Sequence, residues 1–469
     1  MRVRSGDLDL AEGFAQIRTE FSLPVGFAPE VEAAARAAVV VAPAASHDRR
    51  DRTDLEMVTL DPLGSTDLDQ AFAVHRDGDS IILDYAIADV GAFVPVGGIV
   101  EAEAWNRGGT VYAPDGRIPQ YPEVICEDAA SLLPRGPRPC VLLTVAVASD
   151  GTARLRDAYR AVVSSRAQLA YEEVSGDSLG ADVRELSDRV AAAERSRGAQ
   201  RIEFPEQELV PDARAPGGVR LAVRDRHESE DLNSSLSLAA NLAVAALMVE
   251  HRMGLFRSMP APDEVAIAKL RKEAKGLSIH WRKDEGLKEL ERRLDPHNPR
   301  HLAFILDVRR GGGRAAYQWW SGEGDPPMHA AIGGCYAHAT APLRRLADRY
   351  VLDLVVELCA GRAPDAPALS RLAQLPEVME RYDSVSAKVD RAAIDLVESV
   401  MLVDRIGEEF DAVVLDGNGS KVQVQLDDLP IRATLTVPAN LSAVEPGRVL
   451  RVRCAAAEPA RRRITLEVV

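Results

Sequence analysis

Cysteine is scarce in this 469-residue chain. There are five, at positions 126, 140, 335, 359 and 454, and no two form a CxxC pair. Thiols scattered in this way exclude a cysteine-based zinc site and predict reduced side chains in a cytoplasmic protein. Long apolar runs are missing as well. None approaches the ~20 residues that span a bilayer, so no membrane partner is expected. The opening residues, MRVRSGDLDLAEGF, carry acids where a signal peptide has its apolar core. No internal repeat or low-complexity tract is present. Lysine is nearly absent, with seven against fifty arginines, and acids exceed bases to a net charge of −15. That balance argues only weakly against a nucleic-acid partner, because the location of the positive charge decides. Arginine makes forked hydrogen bonds to phosphate that lysine cannot, although a GC-rich genome would give the same excess.

What remains is ordinary for a folded, soluble chain: 46% hydrophobic and 28% charged residues. The length suits one large domain with one or two smaller ones. Residues 7–20 and 28–41 read as short helices, with Pro29 at a first-turn position. From 56 to about 160 the pattern is strand-like. SLSLAANLAVAALMVEHRMGL reads as a helix closed by Gly254, and GGCYAHATAPLRRLADRYVLDLVVELCAG as a loop feeding a helix that ends at Gly361. Residues 383–406 are again helical. The last sixty residues alternate in short strands between DGNG and Pro-containing turns, the pattern of an OB-type barrel. Arg448, Arg451, Arg453 and Arg461 to Arg463 give its end a positive charge suited to a phosphate backbone, or simply to solubility.

Two stretches carry chemistry. In VTLDPLGSTDLDQAF, Asp61, Asp67 and Asp69 crowd into nine positions beyond a strand-like run. Mg²⁺ and Mn²⁺ take oxygen ligands from carboxylates and substrate phosphate. Asp67 and Asp69 share a side if the backbone between them is extended. The spacing alone also fits a solvated acidic turn, and it is not that of an EF-hand. In YAHATAPLRRLADRY, Arg344 and Arg345 follow a proline and open a helix. Helix N-termini attract phosphate, and a guanidinium there would stabilise a pentacovalent phosphorus. A surface helix start would look the same.

Together these stretches resemble the ribonuclease II/R (RNB-type) family of exoribonucleases, whose catalytic domain carries D-x5-D-x-D-D and a distant Y-x3-T-S-P-I-R-[RK]-Y-x-D. DPLGSTDLDQ keeps the spacing of Asp61, Asp67 and Asp69, and YAHATAPLRRLAD keeps Tyr336, Thr340, Pro342, Arg344 and Asp348. RRDRTDLEMVTLD, YAIADVGAFV and YPEVICEDAASLLP resemble family segments in the same order, over roughly 45–469. The resemblance implies processive 3′→5′ hydrolysis of single-stranded RNA to nucleoside 5′-monophosphates with Mg²⁺, or Mn²⁺ in its place. It implies Asp61, Asp67 and Asp69, with Gln70 at the fourth acidic position, as the metal set. Asp69 would be the catalytic carboxylate and Arg344 the phosphate contact in the transition state. Tyr112 falls near the family's aromatic that stacks on terminal bases. Phe256 is a candidate second ring, although a Phe in such a run reads equally as core. Arg345, Thr340 and Asp390 complete the implied substrate-binding set.

Departures from the pattern matter. Gln70 replaces an acid, and its neutral amide is a poorer ligand for a second cation. Ala341 and Leu346 replace a Ser and a Tyr, and Asp390 stands where Glu is usual. About 55 residues precede the catalytic domain where the family usually has two cold-shock modules. The expected protein is α+β and monomeric, in three parts. These are a small helical N-terminal module (1–55), an RNB-type catalytic domain (56–406) and a C-terminal S1-like OB barrel (407–469). The rival expectation is a catalytically silent RNA-binding protein of the same fold.

Overall fold

Alternating and doubly buried apolar runs between residues 50 and 170 dictate a sheet. In the computed structural model, residues 10–41, 48–113, 115–199, 206–211, 219–224, 227–295, 298–311, 313–418, 421–427, 429, 431–438, 444 and 447–469 are described. The strands of this region are β1 (Arg50–Asp51), β2 (Met57–Asp61), β3 (Gln70–Asp77), β4 (Ser80–Ala88), β5 (Val111–Ala113), β6 (Gly116–Ile118), β7 (Arg138–Val147), β8 (Ala153–Val163) and β9 (Ser165–Ala170). Seven of them form one sheet in the order β1-β8-β7-β4-β3-β2-β9, while β5 and β6 stand apart as a two-stranded hairpin. The sheet is antiparallel inside and ends in parallel pairs, β1 with β8 and β2 with β9. Gly78, at φ +59°, turns β3 into β4, a conformation open to glycine at little cost.

β4 is buried along eight of its nine residues, as a central strand covered on both faces must be. One cover is the helix Glu228–Glu250, whose Leu236, Ala239, Ala243 and Val244 join the sheet's core. By length and composition this helix could cross a membrane, but most of its apolar window lies inside the protein. It stops before Gly254, which opens the strand Gly254–Ser258 instead of capping the helix. The predicted helix at 383–406 is the second half of a 38-residue helix, Ala366–Val403, that runs through Pro376. Asp365 caps it by accepting from Ala368 N–H at 2.8 Å.

The C-terminal strands Glu409–Asn418, Lys421–Leu426, Arg432–Thr436, Val449–Glu458 and Arg463–Val468 form a five-stranded antiparallel sheet curled into a nearly closed barrel. Leu402 at the end of the long helix belongs to the barrel's own core, so helix and barrel are joined by packing as well as by chain. The expected α+β architecture, a large domain of mixed helix and strand with a C-terminal OB-type barrel, is the one observed. The N-terminal helices run Leu10–Glu20 and Pro29–Val41.

Beneath the sheet, Asp89 is 3% exposed and bound by Arg49 at 2.7 Å and Arg160 at 2.6 Å. Burial alone would push its carboxyl up, but Arg160 and Arg49 outweigh that and hold it below the usual carboxylate range. A depressed folded pKa stabilises above the unfolded value, near 4, and that stability is lost as pH falls through the folded one. Asp89→Asn leaves two guanidiniums without their shared partner and should cost about 3–5 kcal/mol at pH 7. Urea titrations at pH 7 and pH 3 should show the variant's deficit shrinking at the lower pH.

Candidate active site

β2 ends at Asp61, and the loop 62–69 returns the chain to β3 with Asp67 and Asp69 on it. Ser131 fixes this loop from beneath: its hydroxyl accepts from Leu68 N–H (2.9 Å) and donates to the Thr66 carbonyl (2.7 Å). Leu132 N–H adds a bond to the Leu68 carbonyl, and Ala88 N–H one to that of Asp69. Pinned at Leu68 and Asp69, the loop presents its carboxylates along one direction.

Opposite lies the segment 336–345, held by three buried polar side chains. Asn241 accepts from Ala339 N–H at 2.9 Å, Asp348 from Ala341 N–H at 2.8 Å, and Asp69 from Leu343 N–H at 2.8 Å. The Arg344 guanidinium stands 3.5 Å from the second oxygen of Asp69, its side chain 45% exposed. The two motifs are therefore one site, with residues 274 apart in direct contact.

The electrostatics are those of crowded, poorly hydrated acids. Burial pushes Asp69 up to about 8 and Asp61 up to about 7; Arg344 opposes both shifts and Asp67 adds to them. Asp61 Oδ2 is buried with no hydrogen-bond partner among the described residues. Asp67 is bound at 2.6 Å by Arg117, which also reaches Glu127 and the Thr66 hydroxyl. No three His, Cys, Asp or Glu side chains close round one point among the described residues. The donor set fits a hard cation that takes one or two carboxylates and completes its octahedron with water and phosphate oxygens. An orphaned carboxylate oxygen is the atom such a cation would satisfy.

Tyr112 stands on β5 and is 46% exposed as a residue. Burial raises its hydroxyl's pKa, and the charges of Arg344, Asp67 and Asp69 act on the same group. An open ring face beside the carboxylates is what base stacking requires. Asp390 is exposed on the long helix and close enough to influence Tyr382, whose hydroxyl donates to the Thr110 carbonyl at 2.8 Å.

Several expected contacts need correction. Phe256 is 0% exposed and meets Trp320 edge-on at 6.0 Å; it is core and offers no face to a base. Thr340 is buried, its hydroxyl shared with Ser237 at 2.9 Å. Arg345 spends its guanidinium on the fully buried Asp348 at 2.7 Å. The helix begins at Leu346 with Arg345 as its N-cap, so both arginines precede it rather than open it. Gln70 is half-buried, and its side-chain oxygen accepts from the Tyr85 hydroxyl. Arg117, Ser131 and Asn241 were not singled out in the sequence. Ser131 and Asn241 lie within stretches that were, YPEVICEDAASLLP and SLSLAANLAVAALMVEHRMGL, and Arg117 lies close to Tyr112.

The RNB domain family matches residues 49–361, and the RNase II-type exonuclease C-terminal S1 domain matches 408–469. Ribonuclease R of Mycoplasma pneumoniae is 27% identical over 406 residues, 78% of this chain and 54% of that one. Exoribonuclease 2 of Pectobacterium atrosepticum is 27% identical over 438 residues, 86% and 64%. The solved structure of Mycoplasma genitalium RNase R with ribose-methylated single-stranded RNA superposes with a TM-score of 0.87. It is 20% identical and covers 98% of this chain and 78% of its own. The chain spans about half the length of the Mycoplasma relative it matches.

Gly109 joins the β5 hairpin to the arginine loop. Thr110 N–H donates to the Arg344 carbonyl and Leu346 N–H to that of Gly108. A Cβ on Gly109 would lie 2.6 Å from the Tyr382 ring and 2.8 Å from the Arg344 carbonyl oxygen. Gly109→Ala should destabilise by about 1–3 kcal/mol and displace Arg344. Catalytic turnover measured well below the variant's melting temperature should fall further than its folded fraction does.

Proposed function

The chain belongs to the RNB family, and from that premise we propose that it is a metal-dependent 3′→5′ exoribonuclease. It would degrade single-stranded RNA processively to nucleoside 5′-monophosphates. The observation that carries this reading is the contact of the Asp61/Asp67/Asp69 loop with Leu343 and Arg344. That contact brings Asp69 beside the Arg344 guanidinium, with Asp61, Asp67 and Tyr112 near enough to act electrostatically on the same groups.

Asp61 and Asp67 would hold a divalent cation, Mg²⁺ in this reading, with Asp69 at its side. When bound, such a cation neutralises phosphate charge and lowers the pKa of coordinated water. The chain's own groups do the rest. Asp69, fixed through Leu343 N–H, keeps its remaining oxygen toward Arg344 and the reacting centre. Arg344 meets the charge that grows on the phosphoryl oxygens. Tyr112 stacks on a base near the 3′ end and so contributes to holding the chain terminus at the site. Stacking reads no particular base, which suits digestion regardless of sequence. The S1-like barrel supplies further backbone contacts for longer chains.

The rival reading, a silent RNA binder, is favoured by one residue. Gln70 is neutral, and its oxygen is engaged by Tyr85. Incubating a 5′-labelled single-stranded RNA with the protein and Mg²⁺ separates the two. Release of unlabelled nucleoside 5′-monophosphates, with the label moving directly from the full-length chain to a short 5′ remnant, supports the enzyme. Retained full-length RNA in a stable complex supports the binder.

Two variants test the assigned roles. Asp69→Asn should abolish hydrolysis while RNA affinity holds or tightens, because it removes charge needed in the transition state and little binding surface. A rate within a few-fold of the parent's would mean that Asp69 has another role. Arg344→Ala should lower kcat by roughly 10²–10³-fold, by analogy with loss of an oxyanion donor, with little change in affinity. Normal turnover at saturation combined with weak binding would instead make Arg344 a docking contact.

A further inference from the structure

The hairpin that carries Tyr112 is too small to place it unaided. Strands β5 and β6 have three residues each, and an isolated two-stranded ribbon is marginal even when much longer. Its pairs are Val111 with Ile118, Tyr112 with Arg117, and Ala113 with Gly116. Alternation sends the first and second pairs to opposite faces. One face thus carries Tyr112 and Arg117, and Arg117 reaches Asp67. The other carries Val111 and Ile118, both buried in a cluster with Leu10, Phe14 and Ile17.

Those last three residues belong to the N-terminal helix Leu10–Glu20, which the proposed chemistry does not use. The same helix grips the hairpin at its tip. Arg18 donates from Nε (3.1 Å) and Nη2 (2.9 Å) to the two oxygens of Asp115. A forked pair of this kind fixes orientation as well as distance. At its far end Glu20 is bound by Arg462 of the barrel, and its apolar side also packs on Val389, Ala393 and Leu396 of the long helix. The helix is therefore anchored to two larger bodies and holds the hairpin from behind.

We infer that the N-terminal helix Leu10–Glu20 is a positioning element for substrate, with Arg18 as its positioning residue. Through Asp115, Val111 and Ile118 it sets where Tyr112 and Arg117 present an aromatic ring and a guanidinium to a single-stranded nucleic acid. Arg117 is the second substrate-facing group of the hairpin, placed to pass from Asp67 to a backbone phosphate. The inference rests on the exoribonuclease reading for the identity of the ligand. Its geometry depends only on the hairpin's two faces.

The test uses the full chain and a fluorescein-labelled pentanucleotide RNA, first without divalent metal, by anisotropy, and then with Mg²⁺, by steady-state cleavage. Tyr112→Ala should weaken binding by about 10-fold or more, the loss of one stacked base. Arg18→Ala should weaken it by roughly 3- to 10-fold, the loss of a charge-assisted fork. In cleavage, Arg18→Ala should raise KM by a similar factor and leave kcat within about twofold. Arg18→Lys should restore part of the loss. The double variant Arg18→Ala/Tyr112→Ala should lose less than the product of the two single losses, because the helix acts in part through that ring. Parent-like binding by Arg18→Ala, or losses that multiply in the double variant, would overturn the inference and leave the exoribonuclease reading intact. A parent protein that neither binds nor cleaves the oligomer would overturn that reading and the inference with it.

Discussion

One hydrogen bond ties the site together: Leu343 N–H to the carboxylate of Asp69. It joins the turn after β2 to the loop before the helix Leu346–Cys359, across 274 residues of sequence. A buried carboxylate is costly unless its lone pairs are met, so each segment supplies what the other lacks. Asp69 gives the arginine loop an acceptor, and the loop gives Asp69 a donor and a nearby guanidinium. Ser131 repeats the logic one residue earlier by satisfying both Leu68 N–H and the Thr66 carbonyl. The loops can be irregular because their polar groups are answered by buried side chains rather than by water.

Much of this was legible in the sequence. The three aspartates, Arg344 and Tyr112 were placed by spacing and by resemblance, and they lie together. The end of the helix before Gly361 and the alternating barrel strands were also readable, because punctuation and period are local properties. Harder to read was which way some side chains face. Thr340 sits in a segment of the right neighbourhood yet turns into the core, and Phe256, readable either as a second ring or as core, is core. Only the strand pairing of Gly254–Ser258 with Ala316–Trp320 settles that for Phe256. The long helix was half-read because Pro376 and the polar stretch before residue 383 signal a break. Burial of Leu372, Leu375, Val378 and Met379 in the main core carries the helix through that point.

The first N-terminal helix, Leu10–Glu20, was readable as a helix and opaque in role. It packs on a hairpin that local pattern could not describe, since three-residue strands leave almost no period to detect. Arg117 shows the same limit. A lone arginine after Asp-Gly reads as a turn residue, and only its cross-strand pairing with Tyr112 and its contact with Asp67 give it a place in the site.

The paired arginines illustrate why adjacency in sequence is a poor guide to function. Arg345 lies in extended backbone, φ −131° and ψ 119°, so successive side chains leave on opposite sides. One must go inward, and there Asp348 receives it at 2.7 Å while also capping Ala341 N–H. A lysine could balance the charge but could not fork across both oxygens of Asp348 as the Arg345 guanidinium does. With Arg345 fixed, Arg344 is forced to the other side, half-exposed and facing Asp69. The arginine bound to Asp348 thus fixes the backbone from which the exposed one faces Asp69. A substitution at Arg345 would reach Asp69 by displacing its neighbour, although the Arg345 guanidinium itself is held by Asp348.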